Sequence, residues 1–208
     1  MQSRIGDHPS KSVPPRSAIA RRVWFLFPVA AQACYPAQMA QTSFILGGAR
    51  SGKSRRGLAL AEQIGARRVY VATAEALDDE MADRIAQHKA ERGQGWATIE
   101  APLDLIPALE QAANDGDVCL VDCLTLWLSN LMHHERDVEA ETARLCEYLP
   151  RSPRPIVLIS NEVGLGLVPE TPLGRSFRDA QGRLNQAVAA ACEHVEFVAA
   201  GLPISLKG

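Results

Sequence analysis

One stretch of the chain has the residue types and the spacing needed to hold nucleotide phosphates. Residues 47–54 satisfy the pattern G-x-x-x-x-G-K-[ST]. Its glycines let the backbone turn so that successive N–H groups converge on phosphate oxygens. Lys53 can reach the β- and γ-phosphates, and the Ser54 hydroxyl can ligate Mg²⁺. The predicted binding loop for ATP or GTP comprises Gly47, Gly48, Ala49, Arg50, Ser51, Gly52, Lys53 and Ser54.

A carboxylate that follows a second apolar run is the expected partner of this loop. Asp122 comes directly after Val118-Cys119-Leu120-Val121. An acidic residue at the end of a neighbouring strand holds Mg²⁺ or its water in such sites. The alternative is that Asp122 caps the next helix. Glu162, after the apolar run 156–160, is a weaker candidate of the same kind. Ser54 and Asp122 are therefore the predicted Mg²⁺ ligands.

A histidine lies among basic residues in a stretch with helical spacing. Arg84, His88 and Arg92 are four residues apart and share one face of a helix predicted over 78–92, with Lys89 adjacent. The cations could neutralise a phosphate, and they would lower the pKa of the imidazole and leave it neutral and nucleophilic. A solvated basic helix end that complements the macrodipole is an equally physical interpretation. These residues alone leave both open.

Two further patches lie near the predicted end of a strand. The glycine-rich stretch 161–169 follows the apolar run 156–160, at the edge where α/β proteins bind ligands. Arg175 and Arg178 then open a helix and could face a phosphate or a neighbouring subunit. The alternative for both patches is a structural loop and an ordinary helix surface.

From residue 42 onward, short apolar runs alternate with amphipathic stretches. This alternation predicts a single three-layer α/β domain over 39–208 with a mainly parallel sheet. Strands are expected at 43–46, 68–73, 97–100, 118–122, 155–160 and 195–199, with an edge strand at 204–206. Helices are expected at 54–64, 78–92, 103–113, 124–132, 138–149 and 174–193.

Charge is distributed unevenly between the two ends of the chain. Residues 1–38 contain five basic residues and one acidic residue, a net charge of +4. Since the formal net charge of the whole chain is −2, residues 39–208 carry −6. An acidic body argues against nucleic-acid binding and favours small-molecule partners. We expect residues 1–38 to be a disordered extension or to precede a true start at Met39. Five scattered cysteines, the lack of an 18-residue apolar run and the need for nucleotide predict a cytoplasmic protein without a membrane span.

Several motifs in order resemble one enzyme family. They are GGARSGKS (47–54), YVATAEALDDEM (70–81), RIAQHK (84–89) and NEVGLGLVPETPLGRSFRDAQGRLNQ (161–186). Over about residues 43–207 the chain resembles the bifunctional adenosylcobinamide kinases/adenosylcobinamide-phosphate guanylyltransferases of cobalamin biosynthesis. The resemblance implies a P-loop NTPase fold like that of recombinases, and a homo-oligomer, with a trimer as the family's form.

The same resemblance implies two reactions at one nucleotide site. The γ-phosphate of ATP or GTP passes to adenosylcobinamide, and GTP then guanylylates a histidine that passes GMP to the cobinamide phosphate. Position in the motif assigns that histidine to His88. Beyond the phosphate loop, the implied nucleotide contacts are Ala72, Thr73, Ala74, Lys89, Ala90, Glu91, Arg92, Glu100 and Asp122.

Other functions remain compatible with a phosphate loop. A monofunctional small-molecule kinase would make His88 structural. A recombinase-like ATPase that moves nucleic acid is disfavoured by the acidic body. A nucleotide sensor without catalysis is disfavoured because Lys53, Ser54 and Asp122 are all present.

Overall fold

The computed structural model describes residues 42–75, 92 and 94–208 of the chain. The expectations for residues 1–38, for a start at Met39 and for most of the 78–92 helix lie outside this part. Within it, the alternation of strands and helices agrees with the sequence prediction. The strands are β1 (Thr42–Gly47), β2 (Arg68–Ala72), β3 (Trp96–Glu100), β4 (Val118–Asp122), β5 (Ile156–Asn161), β6 (His194–Ala199) and β7 (Leu202–Lys207). The helices are α1 (Lys53–Ile64), α2 (Leu105–Asp115), α3 (Leu124–His133), α4 (Val138–Tyr148) and α5 (Pro172–Ala191), with a 3₁₀ turn at Leu149–Arg151.

All described strands form one sheet in the order β3-β2-β4-β5-β1-β6-β7. Strands β1 to β6 are parallel, and β7 pairs antiparallel with β6. The predicted edge strand is therefore confirmed and runs longer than residues 204–206. Parallel pairing brings the carboxyl ends of six strands to one edge of the sheet, which we call the carboxyl edge. The mostly parallel α/β fold predicted from the sequence is confirmed.

The sheet lies between two apolar layers because neighbouring residues of each strand point to opposite faces. On β1, Phe44 and Leu46 face the larger core, which α2, α3, α4 and α5 cover. Ile45 faces the smaller core, where α1 contributes Leu60. Strands buried on both faces are near-continuous apolar runs, which is why the sequence marked them clearly.

Helix α5 begins two residues earlier than the sequence predicted, for a local reason. The Thr171 hydroxyl accepts a hydrogen bond from the Gly174 N–H at 3.1 Å, and Pro172 occupies the first turn. Both are favoured at helix N-termini. The helix continues through Gly182 and ends at Ala191. Among the described residues, no helix is long and apolar enough to cross a bilayer.

The packing of the larger core gives a stability prediction. Leu128 on α3 is fully buried there, whereas Leu206 on β7 is 59% exposed. Leu128→Ala should lower the free energy of unfolding by about 2–5 kcal/mol, because it removes apolar contacts and leaves a cavity. Leu206→Ala should change it by less than about 0.5 kcal/mol. Urea unfolding followed by circular dichroism checks this, and equal losses in the two variants would contradict the described packing.

Candidate active site

The phosphate loop follows β1 and turns sharply into α1. Gly52 has φ of 97°, a left-handed conformation that glycine adopts without strain. Gly47 is required for a different reason: a Cβ there would lie 2.5 Å from the Ser51 hydroxyl oxygen and 2.6 Å from the Val198 carbonyl oxygen. Among the described residues, no side chain caps the N-terminus of α1. The first N–H groups of this helix can therefore serve an anion.

Lys53 lies where its charge can meet that anion. Its side chain is buried, and its ammonium donates a hydrogen bond across the loop to the Gly48 carbonyl at 3.2 Å. A phosphate oxygen is a stronger acceptor than a carbonyl for a charged donor. The lysine thus has a place inside the loop from which it can turn to a bound triphosphate.

A second turn of the chain supports the phosphate loop, and no sequence pattern predicted it. The Gly201 N–H, in the turn between β6 and β7, donates to the Ser51 carbonyl at 2.8 Å. Ala200 and Gly201 both have positive φ, 51° and 80°. The final hairpin therefore fixes the middle of the phosphate loop through backbone contacts, which depend little on side-chain identity.

Asp122 ends β4 at the carboxyl edge, where the Tyr70 hydroxyl orients it. The Tyr70 hydroxyl donates to Asp122 Oδ2 at 3.1 Å. Burial, and then the Asp122 carboxylate, raise the pKa of Tyr70 well above its ordinary value, so the phenol remains a donor. The Arg92 guanidinium stacks 3.6 Å from the centre of the Tyr70 ring. Asp122, Tyr70 and Arg92 thus form one cluster at this edge.

The thiol of Cys123, the residue after Asp122, is affected by charges from two parts of the chain. Burial raises the pKa of the Cys123 thiol to about 11, and the charge of Asp122 acts in the same direction. The positive charge of Lys53 acts in the opposite direction. Lys53 and Asp122 therefore both act on the end of β4, although they come from separate parts of the chain. The thiol stays protonated and is not a nucleophile near neutral pH.

The residues after β2 support the site from within. The Thr73 side chain is fully buried, and its hydroxyl bonds to both the N–H and the carbonyl of Cys123, at 2.9 and 2.8 Å. The Asn130 amide donates to the carbonyls of Thr73 at 2.7 Å and Pro102 at 3.1 Å. This network ties the ends of β2, β3 and β4 together. Asn130 was missed from sequence; its only signal is an amide among the apolar residues of α3.

A second buried network holds the end of β5 next to the phosphate loop. Ser160 donates to Asn185 Oδ1 at 2.8 Å, and the Asn185 amide donates to the Asn161 carbonyl at 3.1 Å. The Gln181 amide reaches Ser160 at 3.0 Å and Asn185 at 2.9 Å. Gln181 and Asn185 are one turn apart on the face of α5 that is otherwise apolar. Two amides on an apolar helix face were the only sequence pattern that could have predicted this buried network.

The remaining predicted residues fall in different places. Ala72 pairs in register with both Asp122 and Glu100, so all three lie at the carboxyl edge, with Glu100 exposed on the outer strand. The backbone N–H of Glu162 donates to the Gly47 carbonyl at 3.1 Å, and its carboxylate accepts from the Gly164 N–H. Arg175 donates to the carbonyls of Pro169 and Glu170 at 3.0 and 2.8 Å. His88, Lys89, Ala90 and Glu91, also predicted from the sequence, lie outside the described residues.

Comparison with known proteins identifies the family of the chain. The family model described as cobinamide kinase / cobinamide phosphate guanyltransferase matches residues 43–206. The chain belongs to this family. Among its relatives, the bifunctional adenosylcobalamin biosynthesis protein CobP of Pseudomonas aeruginosa is 49% identical over 166 residues, covering 79% of this chain and 96% of the relative. The Escherichia coli protein of the same description, CobU, is 38% identical over 178 residues, covering 78% and 98%.

A solved structure supports the fold alone. The flagellar accessory protein FlaH from Methanocaldococcus jannaschii superimposes with a TM-score of 0.50 at 16% identity, covering 81% of this chain and 79% of FlaH.

Family membership confirms that the chain is an enzyme of the kinase and guanyltransferase class. The matched segment includes the phosphate loop, Asp122 and the stretch 161–186 that carried the resemblance.

The donor set at the carboxyl edge fits Mg²⁺. Ser54 offers a hydroxyl in the first turn of α1 and Asp122 a carboxylate at the end of β4, and both are hard oxygen ligands. The described residues contain no group of three or more His, Cys, Asp or Glu side chains arranged for a metal.

The Tyr70–Asp122 contact gives a prediction for this family member. Tyr70→Phe keeps the ring that Arg92 stacks on and removes the hydroxyl that orients Asp122. We expect the Mg²⁺ concentration for half-maximal nucleotide binding to rise about tenfold, as is typical when a partner of a metal ligand is lost. A fluorescent GTP analogue titrated with Mg²⁺ measures this.

The matched control is Tyr148→Phe, a half-buried tyrosine on the last turn of α4. It removes a tyrosine hydroxyl at a position packed against the larger core, and it should leave the Mg²⁺ dependence of nucleotide binding unchanged. If the two variants depend on Mg²⁺ as the wild type does, Tyr70 has no part in positioning Asp122.

Proposed function

We propose that the protein phosphorylates adenosylcobinamide and then guanylylates the product, in the cytoplasm, as a step of cobalamin biosynthesis. The observation that carries this is a complete phosphate loop and a strand-end carboxylate on one sheet edge, in a chain whose family match spans residues 43–206. Neither feature suffices alone. A phosphate loop occurs in many ATPases, and the family description names the acceptor without locating it in this chain.

In the first reaction the acceptor hydroxyl attacks the γ-phosphorus of ATP or GTP. The bond to the β,γ-bridging oxygen breaks, a nucleoside diphosphate leaves, and the hydroxyl proton is lost. Lys53 and the N–H groups of residues 48–54 hold the phosphate oxygens and favour the charge that develops on them. Ser54 and Asp122 would hold Mg²⁺, which would neutralise part of that charge.

In the second reaction the His88 imidazole attacks the α-phosphorus of GTP. A phosphorus–nitrogen bond forms at the unprotonated ring nitrogen, and the bond to the α,β-bridging oxygen breaks so that pyrophosphate leaves. The proton on the other ring nitrogen then passes to solvent. A phosphate oxygen of the cobinamide phosphate then attacks the same phosphorus and releases His88, which gives adenosylcobinamide-GDP. Each step is a displacement at phosphorus, so the protein's part is positioning and charge stabilisation.

Arg92 supports a place for His88 near these phosphates. Its guanidinium lies against Tyr70, whose hydroxyl bonds to Asp122. Arg92 comes four positions after His88 in the sequence, and an extended chain over four positions spans at most about 14 Å. The histidine thus lies on a tether short enough to reach the site. We assign phosphate contacts to Lys89 and Arg92, and further nucleotide contacts to Ala90 and Glu91, which lie between them in the sequence. We assign base or ribose contacts to Glu100 and to the segment Ala72–Ala74.

We further propose that the protein acts as a homo-oligomer, with a trimer as the form that the family resemblance implies. Strand β7 is an edge strand whose six residues are all exposed, and Leu202, Ile204 and Leu206 alternate along it. Exposed apolar residues in such number favour association. Light scattering on the purified protein measures the molar mass directly.

The test of the two-step function uses GTP labelled at the α-phosphate. Wild-type protein should acquire label that is acid-labile and base-stable, as a phosphorus–nitrogen bond requires. His88→Ala should lose the label and still transfer the γ-phosphate of ATP to cobinamide. His133→Ala, which changes an exposed histidine at the end of α3, is the control and should label normally.

The outcomes separate this function from its alternative. Full labelling of His88→Ala would remove His88 from the mechanism. An unlabelled wild type that still phosphorylates cobinamide would leave a monofunctional kinase.

A further inference from the structure

The loop between β5 and α5 presents large apolar side chains to solvent. Leu165 is 81% exposed, Leu167 is 96% exposed and Val168 is 65% exposed. Single exposed leucines are common on protein surfaces, but a cluster of them within four residues marks a binding surface. We refer to residues 163–168 as the apolar loop.

The apolar loop begins at the rim of the phosphate loop. The last residue of β5, Asn161, pairs in register with Gly47, and the next N–H, of Glu162, donates to the Gly47 carbonyl at 3.1 Å. An acceptor that receives a phosphoryl or guanylyl group must bring its oxygen to about 3–3.5 Å from phosphorus. The acceptor must therefore cover surface beside this rim, where open α/β sheets bind their ligands.

Both ends of the apolar loop are held firmly. On the β5 side, the buried residues Ser160 and Asn185 fix the Asn161 carbonyl. On the α5 side, Arg175 donates to the carbonyls of Pro169 and Glu170, and Thr171 caps the helix. Leucines held in this way lose little conformational freedom when a ligand covers them, which favours binding.

The backbone of the loop is also open to a ligand. Apart from Gly166 itself and its two chain neighbours, no described residue has an atom within 4 Å of the place that a Cβ of Gly166 would occupy. A flat ligand can therefore approach the peptide groups there closely. The loop combines apolar side chains with accessible peptide N–H and carbonyl groups.

We propose that the apolar loop binds the corrin ring of the acceptor, an inference that rests on the proposed function. A corrinoid is a large, flat macrocycle that carries methyl groups and peripheral amides. Leu165, Leu167 and Val168 cover its apolar surface, and the peptide groups around Gly166 pair with its amides. The hydroxyl or phosphate arm of the acceptor then extends over Gly47 towards the nucleotide.

The test uses Leu167→Ser and the double variant Leu165→Ser/Leu167→Ser. Both side chains are exposed, so neither change removes core packing. Leu173→Ser, an exposed leucine in the first turn of α5 and outside the apolar loop, is the matched control. Equilibrium dialysis measures the Kd for cobinamide, and steady-state kinetics gives the KM values for cobinamide and GTP. Light scattering gives the molar mass of each variant.

The expected result is a selective loss of acceptor binding. Leu167→Ser should raise the Kd and KM for cobinamide about tenfold, and the double variant more, because apolar burial of a leucine contributes at least that factor. The KM for GTP and self-labelling with α-labelled GTP should not change. Leu173→Ser should bind cobinamide as the wild type does.

Two results would overturn the assignment. One is an unchanged Kd for cobinamide in both loop variants. The other is a fall in molar mass that accounts for the lost binding, which would make the loop a contact between copies of the chain. Either result leaves the proposed function intact if the wild type phosphorylates cobinamide and labels itself. A wild type that neither binds nor phosphorylates cobinamide would instead reject the proposed function.

Discussion

The pairing register of the parallel strands is the constraint on which the site depends. Asp122 pairs with Ala72, and Leu120 pairs with Tyr70, so Asp122 and Tyr70 project from the same face of neighbouring strands. The Tyr70 hydroxyl reaches Asp122 only because of this alignment. That face is the one that α1 covers, and α1 begins with Lys53. A slip of one residue would turn Asp122 towards the opposite layer and separate it from the phosphate loop.

Buried polar networks hold the ends of the strands in the alignment that the pairing register sets. Apolar packing fixes the middle of the sheet, but strand ends carry peptide groups that need partners. Thr73 and Asn130 supply them for β2 and β4, and Ser160 and Asn185 supply them for β5. An unsatisfied buried polar group costs about 1–3 kcal/mol, so these contacts tolerate few alternative arrangements. The carboxyl edge is therefore rigid where the ligand would bind.

The arrangement suits two displacements at one nucleotide. In the proposed mechanism the phosphate cradle stays fixed, and the attacking group differs between the steps. The acceptor approaches over the apolar loop, which follows β5. His88 is proposed as the other attacking group, and Arg92, four positions later in the chain, contacts Tyr70 on β2. Since β4 lies between β5 and β2, the apolar loop and Arg92 lie on opposite sides of Asp122.

The sequence by itself determined the α/β class, the position of residues 47–54 between a strand and a helix, and the position of Asp122 at the end of a strand. Each of these depends on local spacing or on apolar runs that any parallel sheet must bury. It also carried the resemblance that the family match confirmed. Only the tertiary structure decided the strand order, the brace from Gly201 to Ser51, and the contact of Tyr70 with Asp122. These features join residues 52 to 150 positions apart, and no local pattern encodes which distant backbone group will meet another. The loop of residues 47–54 holds its shape through such long-range contacts.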